Sequence, residues 1–425
     1  MKATLDVRRR GLTVDAITAT MLALVRPLPA TVQSVSASLG CVLAGPVVAR
    51  VDVPAWPLAT RDGYAVRATD TIHAKSADAV RLRVLGEGAT HNGRDPLPGG
   101  CAVRVRTGTA VPPGADAVVP GESCRARQGT WRNWVDIVRP VEPGQFMALT
   151  GAEFETGSPV LRAGTVLGPP ELAVLAALGH AHVRVVPRPR VAVVATGTEL
   201  SSRAGVAADG QLYPSNITLV QAMLTAGGAE LSSVRVASDD PEELASALRD
   251  GLTADLILTT GGTGKSSSDI VGKVLLDQEA HSLWNAPVRG SKPAAFRLLR
   301  ELSTERLVPH LALPGRPISA MVAFTLFAYP LLRRLSGLPP KRAHYRWARL
   351  AADIDGIPGR HRYIPVRLEW CRKRWHAVPA GEAMLYGLAA TAGMDGFAVL
   401  GRRTGALARG RRVRVLLPPW SSDPE

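Results

Sequence analysis

Aromatic residues make up only 5% of the 425 residues, which leaves few platforms on which nucleic-acid bases could stack. The four cysteines, Cys41, Cys101, Cys124 and Cys371, form no CxxC pair, so neither a zinc site nor a disulfide framework is expected. The nine histidines likewise show no spaced pair of the kind a metal site uses. No segment approaches about 20 consecutive apolar residues, the length a membrane span needs. The opening MKATLDVRRRGLTVDAITATML has a basic start but neither an uninterrupted apolar core nor a small-residue cleavage site. Internal repeats and low-complexity tracts are also missing. Together these absences lead to the expectation of a cytoplasmic protein with neither a membrane nor a nucleic acid as partner.

What is present is a globular composition. Hydrophobic residues reach 46%, enough for real cores, and the length suits two to four domains of about 100–200 residues each. The net charge of +15 with a pI near 10.4 comes mostly from arginines spread along the chain. The longest runs are Arg8-Arg9-Arg10, Arg402-Arg403 and ARGRRVRV near the end. Such a distribution reads as a solvated basic surface, or as one that attracts a small polyanionic substrate.

Residues 255–275, DLILTTGGTGKSSSDIVGKVL, run from an apolar stretch through a glycine-rich turn. A phosphate loop of the nucleotide-hydrolase kind needs a glycine five positions before Gly264, so that backbone amides can wrap a phosphate chain. Thr259 stands there, and a β-branched residue resists that wrap. The stretch reads instead as a strand, glycine loop and helix forming another sort of anion site, with Asp269 opening the helix.

The surrounding residues alternate between strand and helix patterns. VAVVAT, SSVRVAS, the 255–260 stretch and HLALP read as strands. PSNITLVQAMLTAGG reads as a helix with Ser215 or Asn216 as its cap. In DDPEELASALRDG, Asp240 is the expected cap, Pro241 the first helical residue and Glu243 the partner in a capping box. The long apolar PISAMVAFTLFAYPLL closes the series as a helix. The expected fold is therefore α/β plus mostly-β domains: a central doubly wound parallel sheet with helices on both faces, flanked by two smaller β domains. The expected division is a helical or mixed domain at 11–45 plus 141–188, an inserted mostly-β domain at 46–140, the α/β domain at 189–337 and a C-terminal β domain at 342–420. The helix within 11–44 and the one in PPELAVLAALG are expected to pack together. Ligands of such sheets gather at the carboxyl ends of the strands, where the TGTE, SDD, TTGGTG and LPGRP turns fall.

Read together, ATRDGYAVRA (59–68), RTGTAVPPGADAVV (106–119), VVATGTEL (193–200), YPSN (213–216), SDD (238–240), TTGGTGKSSSD (259–269) and LPGRPISA (313–320) resemble, in order and spacing, the molybdopterin molybdenumtransferase family. This is the MoeA-like group that includes the E domain of gephyrin. The similarity runs from about Gly11 to Leu417. It implies a magnesium-assisted transferase of molybdenum cofactor biosynthesis, which takes adenylylated molybdopterin, cleaves off AMP and delivers molybdate to the dithiolene sulfurs. It also implies a homodimer in which Asp62 of one chain faces the substrate bound by the other; a molybdoenzyme client is a further candidate partner, for the carrier reading given below.

The residue chemistry agrees with that expectation. Glu199, Asp239 and Asp269 project from expected strand ends as oxygen ligands for magnesium, and with Asp62 they form the candidate catalytic set. Gly261, Gly262 and Gly264 allow close backbone approach to a phosphate, while Arg289 and Lys292 add positive charge. Thr107, Pro314, Arg316, Pro317 and Ser319 complete the candidate substrate site. The structural alternatives are that Asp239 and Asp269 cap helices, that Gly63 after Asp62 marks only a turn, and that Thr107 and Ser319 are solvent-facing hydroxyls.

Several positions depart from the family pattern. Ala59 stands for the usual serine and Arg61 for methionine before DGYA, Arg316 for asparagine in LPGNP, Asn285 for a lysine, and Ala148, Ala152 and Glu153 for an arginine and a Glu-Asp pair. These changes keep a second function in play, a non-catalytic paralogue that binds molybdopterin or the finished cofactor for delivery. In either case Lys265 is peripheral to the anion. Lys265→Ala is expected to weaken pterin binding by about 0.2–1 kcal/mol, against about 1.5–3 kcal/mol for Lys292→Ala at a desolvated charge-assisted contact. Titrating both variants with pterin ranks them, and a larger Lys265 effect would restore the nucleotide-loop reading.

Overall fold

A computed structural model describes residues 13–87, 96–125, 134–197, 213, 215–261, 281–286 (backbone only), 294–301, 303–341, 343–357, 361–380, 388–401 and 404–421. The chain divides into two compact units, one of Met1–Thr31, Gly40–Val42 and Val186–Glu425, the other of Val32–Leu39 and Leu43–Val185.

The first unit is built on a six-stranded sheet in the order Glu230–Ala237, Arg190–Thr196, Leu256–Thr260, Arg306–Leu313, Ala294–Glu301, His281–Ala286. The first four strands are parallel. Arg190–Thr196 is buried on both sides, which explains its unbroken apolar reading. Val191 and Val193 pack with Val220, Met223 and Leu224 of the helix Ser215–Ala226. Ala192 and Val194 pack with Leu244 and Leu248 of the helix Pro241–Gly251 on the opposite face. The doubly wound arrangement is thus as expected. The sheet is nevertheless mixed, because Ala294–Glu301 and His281–Ala286 add an antiparallel pair at one edge that the alternation pattern did not reveal.

Thr259 explains why no phosphate loop forms. It lies inside a strand, paired with Val194 on one side and Ala312 on the other. Its Oγ1 sits 3.1 Å from Nε2 of His310, and both residues are buried. Burial first, then the charge of Arg297, holds the His310 pKa well below the ordinary imidazole value, so this hydrogen bond joins a neutral ring to a strand hydroxyl.

The long apolar helix is present at Pro317–Leu335 and is mostly buried, a core helix despite its span-like length. It widens into a π turn at Phe324–Ala328. Pro330 has no N–H to give to the carbonyl of Leu326 four residues back, and Thr18 donates its hydroxyl to that carbonyl instead, at 3.3 Å. Thr18 belongs to the helix Val14–Leu24, which Thr13 caps through its side chain. The buried face of this helix, Ile17, Met21 and Leu22, joins the same core cluster as Val191, Val220 and Phe324. The sequence reading paired it with the helix at PPELAVLAALG. That helix, Pro169–Ala177, is in the second unit. The arginine of the last turn and the start of the chain are joined as well, by Arg334 Nε to the carbonyl of Val25 at 2.9 Å and by the Leu28 amide to the carbonyl of Leu335 at 2.8 Å.

The C-terminal part of the first unit is a closed barrel of five strands, His344–Leu350, Arg374–Pro379, Arg362–Cys371, Gly396–Leu400 and Arg412–Leu417. Closure leaves no strand edge open to pairing. Ala348, Ile364, Val366, Ala398, Val413 and Val415 fill the interior. In the second unit, a six-stranded sheet runs Ala117–Pro120, Gly63–Val66, Cys101–Val105, Val80–Glu87, Trp134–Ile137, Cys124–Arg125. Val66, Leu82 and Val135 are buried on one face and Ala65, Val103 and Val118 on the other.

The placement of the first helix gives a direct test. Met21 is fully buried and Leu24 is 36% exposed, so Met21→Ala should destabilise the first unit by about 2–5 kcal/mol and Leu24→Ala by about 0.5 kcal/mol or less. Denaturant titration of the two variants measures both.

Candidate active site

The parallel strands of the first unit end together, and their termini are locked by one glycine. Gly261 follows Leu256–Thr260 with φ near +96°, and a Cβ there would meet the carbonyl oxygen of Thr196 at 2.2 Å. Only glycine permits both the conformation and the approach. Gly315, in the LPGRP turn, comes up against the same residue, since its own Cβ would lie 3.5 Å from the Cα of Gly261. Asn216 ties the cluster together, donating from Nδ2 to Thr260 Oγ1 at 3.2 Å and to the carbonyl of Gly315 at 2.6 Å. Three of the sequence motifs, TGTE, YPSN and LPGRP, therefore meet TTGG at one point. Ser215 or Asn216 was expected as the cap of this helix, but the helix already includes both, and the Asn216 side chain is used as a cross-brace. The signal was there in YPSN, an amide beside a helix start, but a cap and a brace look alike in sequence.

Two polar atoms at this end, Thr196 Oγ1 and Asn216 Oδ1, are buried without a hydrogen-bond partner among the described residues. Buried polar groups are rarely left so, and both are hard oxygen donors of the kind magnesium and a phosphate-bearing ligand's hydroxyls would use.

Asp239 is exposed at the end of the strand Glu230–Ala237. Capping of the next helix falls to Asp240, whose Oδ1 accepts from the amides of Glu242 and Glu243 at 2.9 Å each. The expected capping box takes a different form, because the Glu243 carboxylate accepts from the amide and hydroxyl of Ser238 and not from the amide of Asp240. Asp239 is thereby released from capping, and among the described residues its carboxylate makes no hydrogen bond.

At the LPGRP turn Pro314 is buried, Arg316 is exposed and Pro317 opens the helix. Ser319 is 1% exposed, so it is not a solvent-facing hydroxyl. Asn285, at the sheet edge, pairs with Ala295, which pairs with Ala312. The end of the edge strand and the LPGRP turn thus lie at the same end of the sheet, two strand spacings or about 10 Å apart. Glu199, Gly262, Gly264, Lys265, Asp269, Arg289 and Lys292 lie outside the described residues, and within those residues no group of three or more His, Cys, Asp or Glu is placed to hold a metal.

The second unit contributes its own cluster. Asp62 Oδ1 accepts from the Thr107 amide at 2.7 Å and from the Thr107 hydroxyl at 2.9 Å, joining two residues that the sequence separates by 45 positions. Those two bonds, aided by the charges of Arg106 and Arg104, hold the Asp62 carboxyl below the ordinary aspartate pKa, so it is ionised down into acid. Gly63 is more than a turn residue. It begins the strand Gly63–Val66, and a Cβ on it would lie 2.0 Å from the carbonyl of Val119. Ala59 holds the Thr107 turn through its backbone, its amide donating to Thr109 and its carbonyl accepting from Gly108. Two of the departures from the family pattern are neighbours here, since Leu58–Ala59 pairs with Met147–Ala148. A third, Arg61, is engaged by Glu122 at 3.7 Å and lies over the Phe146 ring at 5.8 Å.

Mixed α/β sheet, strand-end glycine cradle and DGYA-containing β sheet together define a protein of the molybdopterin-binding class. Residues 12–179 match the model of the MoeA N-terminal region, domains I and II, and residues 192–334 match that of the probable molybdopterin binding domain. The chain is 33% identical over 362 residues to molybdopterin molybdenumtransferase 2 of Mycobacterium tuberculosis strain H37Rv, covering 82% of this chain and 84% of that protein. It is 33% identical over 306 residues to the molybdopterin molybdenumtransferase of Nostoc sp., covering 71% and 68%. The fold matches the crystal structure of the molybdopterin biosynthesis moea protein from Pyrococcus horikosii with a TM-score of 0.73 and 27% identity, over 96% of this chain and 99% of that one. The chain belongs to the molybdopterin molybdenumtransferase family, whose members are transferases of molybdenum cofactor biosynthesis.

The Asp62–Thr107 pair predicts a measurable titration. Thr107→Val removes the hydroxyl bond and leaves the amide bond, so the Asp62 pKa should rise toward its ordinary value without reaching it, as read from the carboxyl carbon shift by NMR. A pKa that stays where it was would mean that the hydroxyl contributes nothing.

Proposed function

We propose that this protein inserts molybdate into adenylylated molybdopterin and releases AMP. The observation that carries the reading is the glycine-locked strand end, where Thr196 Oγ1 and Asn216 Oδ1 are buried without partners among the described residues, beside the TTGG, SDD and LPGRP turns. Backbone amides at Gly261, Gly262 and Gly264 would bind the pterin phosphate, and Arg289, Lys292 and Arg316 would balance its charge. Pro314 and Pro317 hold the LPGRP turn that presents Arg316, and Ser319 supports it from the buried first turn of the helix. Glu199, Asp239 and Asp269 would hold magnesium, which supplies charge neutralisation at the phosphate being cleaved. The carboxylate of Asp62, kept ionised by Thr107, would orient substrate from the second subunit of a homodimer.

The four-part domain division, a cytoplasmic location and transfer of the product to a molybdoenzyme belong to the same reading. Ala59 and Ala148 lie on two paired strands, with Ala59 opposite Met147 and Ala148 opposite Leu58. A serine and an arginine are exchanged together on two hydrogen-bonded strands, while the Asp62–Thr107 pair beside them is kept.

Purified protein supplied with adenylylated molybdopterin, magnesium and molybdate should release AMP and form metal-bound cofactor. Pterin binding without AMP release would establish the carrier function instead. Within this assay Asp239 and Asp240 separate chemistry from capping. Asp240→Ala should lower stability by about 0.5–2 kcal/mol with activity of the folded fraction kept. Asp239→Ala should leave the melting temperature nearly unchanged and reduce AMP release by an order of magnitude or more.

A further inference from the structure

The C-terminal barrel presents an outer face whose charge is almost all of one sign. Along four adjacent strands the residues pointing outward are Arg367 and Glu369, Arg374 and His376, Trp347 and Arg349, and Arg412 and Arg414, aligned by the pairs Glu369–His376, Arg349–His376, Arg349–Arg412 and Trp347–Arg414. These strands carry a single carboxylate, Glu369, and it is already held by Arg367 at 2.7 Å. Trp347, in the middle, is 54% exposed.

Three of the arginines here, Arg349, Arg412 and Arg414, are fixed and not trailing in solvent. Arg412 lies over the Trp347 ring at 4.9 Å, and Arg414 lies over Tyr345 at 4.5 Å. Arg349 donates to the carbonyl of Gly410 at 2.8 Å. A guanidinium stacked on a ring keeps its N–H edge free for a bidentate carboxylate, and it has already lost the side-chain freedom that binding would otherwise remove. At the barrel mouth beside this face, Trp370 is 59% exposed. It packs on Trp375 at 5.1 Å, and Arg346 covers that ring at 4.6 Å. The turn joining these two strands carries Arg372 and Lys373, both with positive φ.

We propose that this barrel face is a docking surface for an acidic segment of a partner protein, with Trp347 as the apolar anchor and Arg374, Arg412 and Arg414 as the carboxylate-binding groups. Charge complementarity selects an acidic partner. A nucleic acid is the poorer fit, because a bound single strand needs successive rings on which bases stack, whereas Trp347 has Arg412 over one side and Trp370, at the barrel mouth, is packed on Trp375. Exposed tryptophan surrounded by arginine is also the composition of interface hot spots.

The test uses the full-length protein and two fluorescein-labelled probes of equal length, a twelve-residue glutamate-rich peptide containing one phenylalanine and a single-stranded oligonucleotide, followed by anisotropy. The double variant Arg412→Glu/Arg414→Glu should weaken peptide binding at least ten-fold, and Trp347→Ala three- to ten-fold. Arg139→Glu/Arg162→Glu, which changes net charge equally in the other unit, should leave it within two-fold. If the barrel double variant does not fold, Arg374→Glu, which takes part in none of the ring contacts, makes the same test. Equal weakening by the two double variants would reduce the effect to net charge and overturn the proposal. So would an oligonucleotide that binds more tightly than the peptide and is displaced by the same barrel variant.

Discussion

The close approach of Gly261 to Thr196 governs the architecture of the candidate site. Parallel strands bring their carboxyl ends to one side, but they do not by themselves make a cradle. The cradle forms because the strand ending at Thr260 continues through a residue with no Cβ, which lets the carbonyl of Thr196 sit where any other side chain would begin. Gly315 then fits against Gly261, and Asn216 braces both neighbours. Remove the approach and the three turns separate, taking with them the buried oxygens that ask for a ligand.

Much of this was legible in the sequence, for identifiable reasons. Arg190–Thr196 and Leu256–Thr260 announce themselves because strands buried on both faces are continuously apolar. Asp240 was readable as a cap because Pro241 follows it at a position where a missing N–H costs nothing. The edge pair His281–Ala286 and Ala294–Glu301 was not legible, since the alternation rule looks for a helix between strands and antiparallel neighbours need none. The destination of Glu243 was equally hidden. Ser238 and Asp240 both offer donors within reach of its carboxylate, and geometry decides between them. The first helix was legible but the core cluster it joins was not, because amphipathicity reports that a face is buried and never against what.

The departures from the family pattern follow the architecture. Ala59 and Ala148 share one small ladder, and Ala59 uses only its backbone to hold the turn that carries Thr107. Ala59 is buried, and the Asp62–Thr107 pair is kept beside it. Arg316 and the end of the edge strand bearing Asn285 meet at the same sheet end, so a charge gained at one and lost at the other act on one region.

The joining of the first helix to the last has a consequence for how the chain is made. Thr18 and Leu326 are separated by 308 residues, and at about 5–20 residues per second a ribosome needs roughly 15–60 s to cover that distance. Until Leu326 and the rest of its helix are made, the core that Ile17, Met21 and Leu22 enter is incomplete. The second unit, drawn from residues in between, is synthesised whole during the wait. The first helix therefore waits for its final partner while the residues of another compact unit are made, an order of synthesis in which a chaperone that shields exposed apolar helices would act.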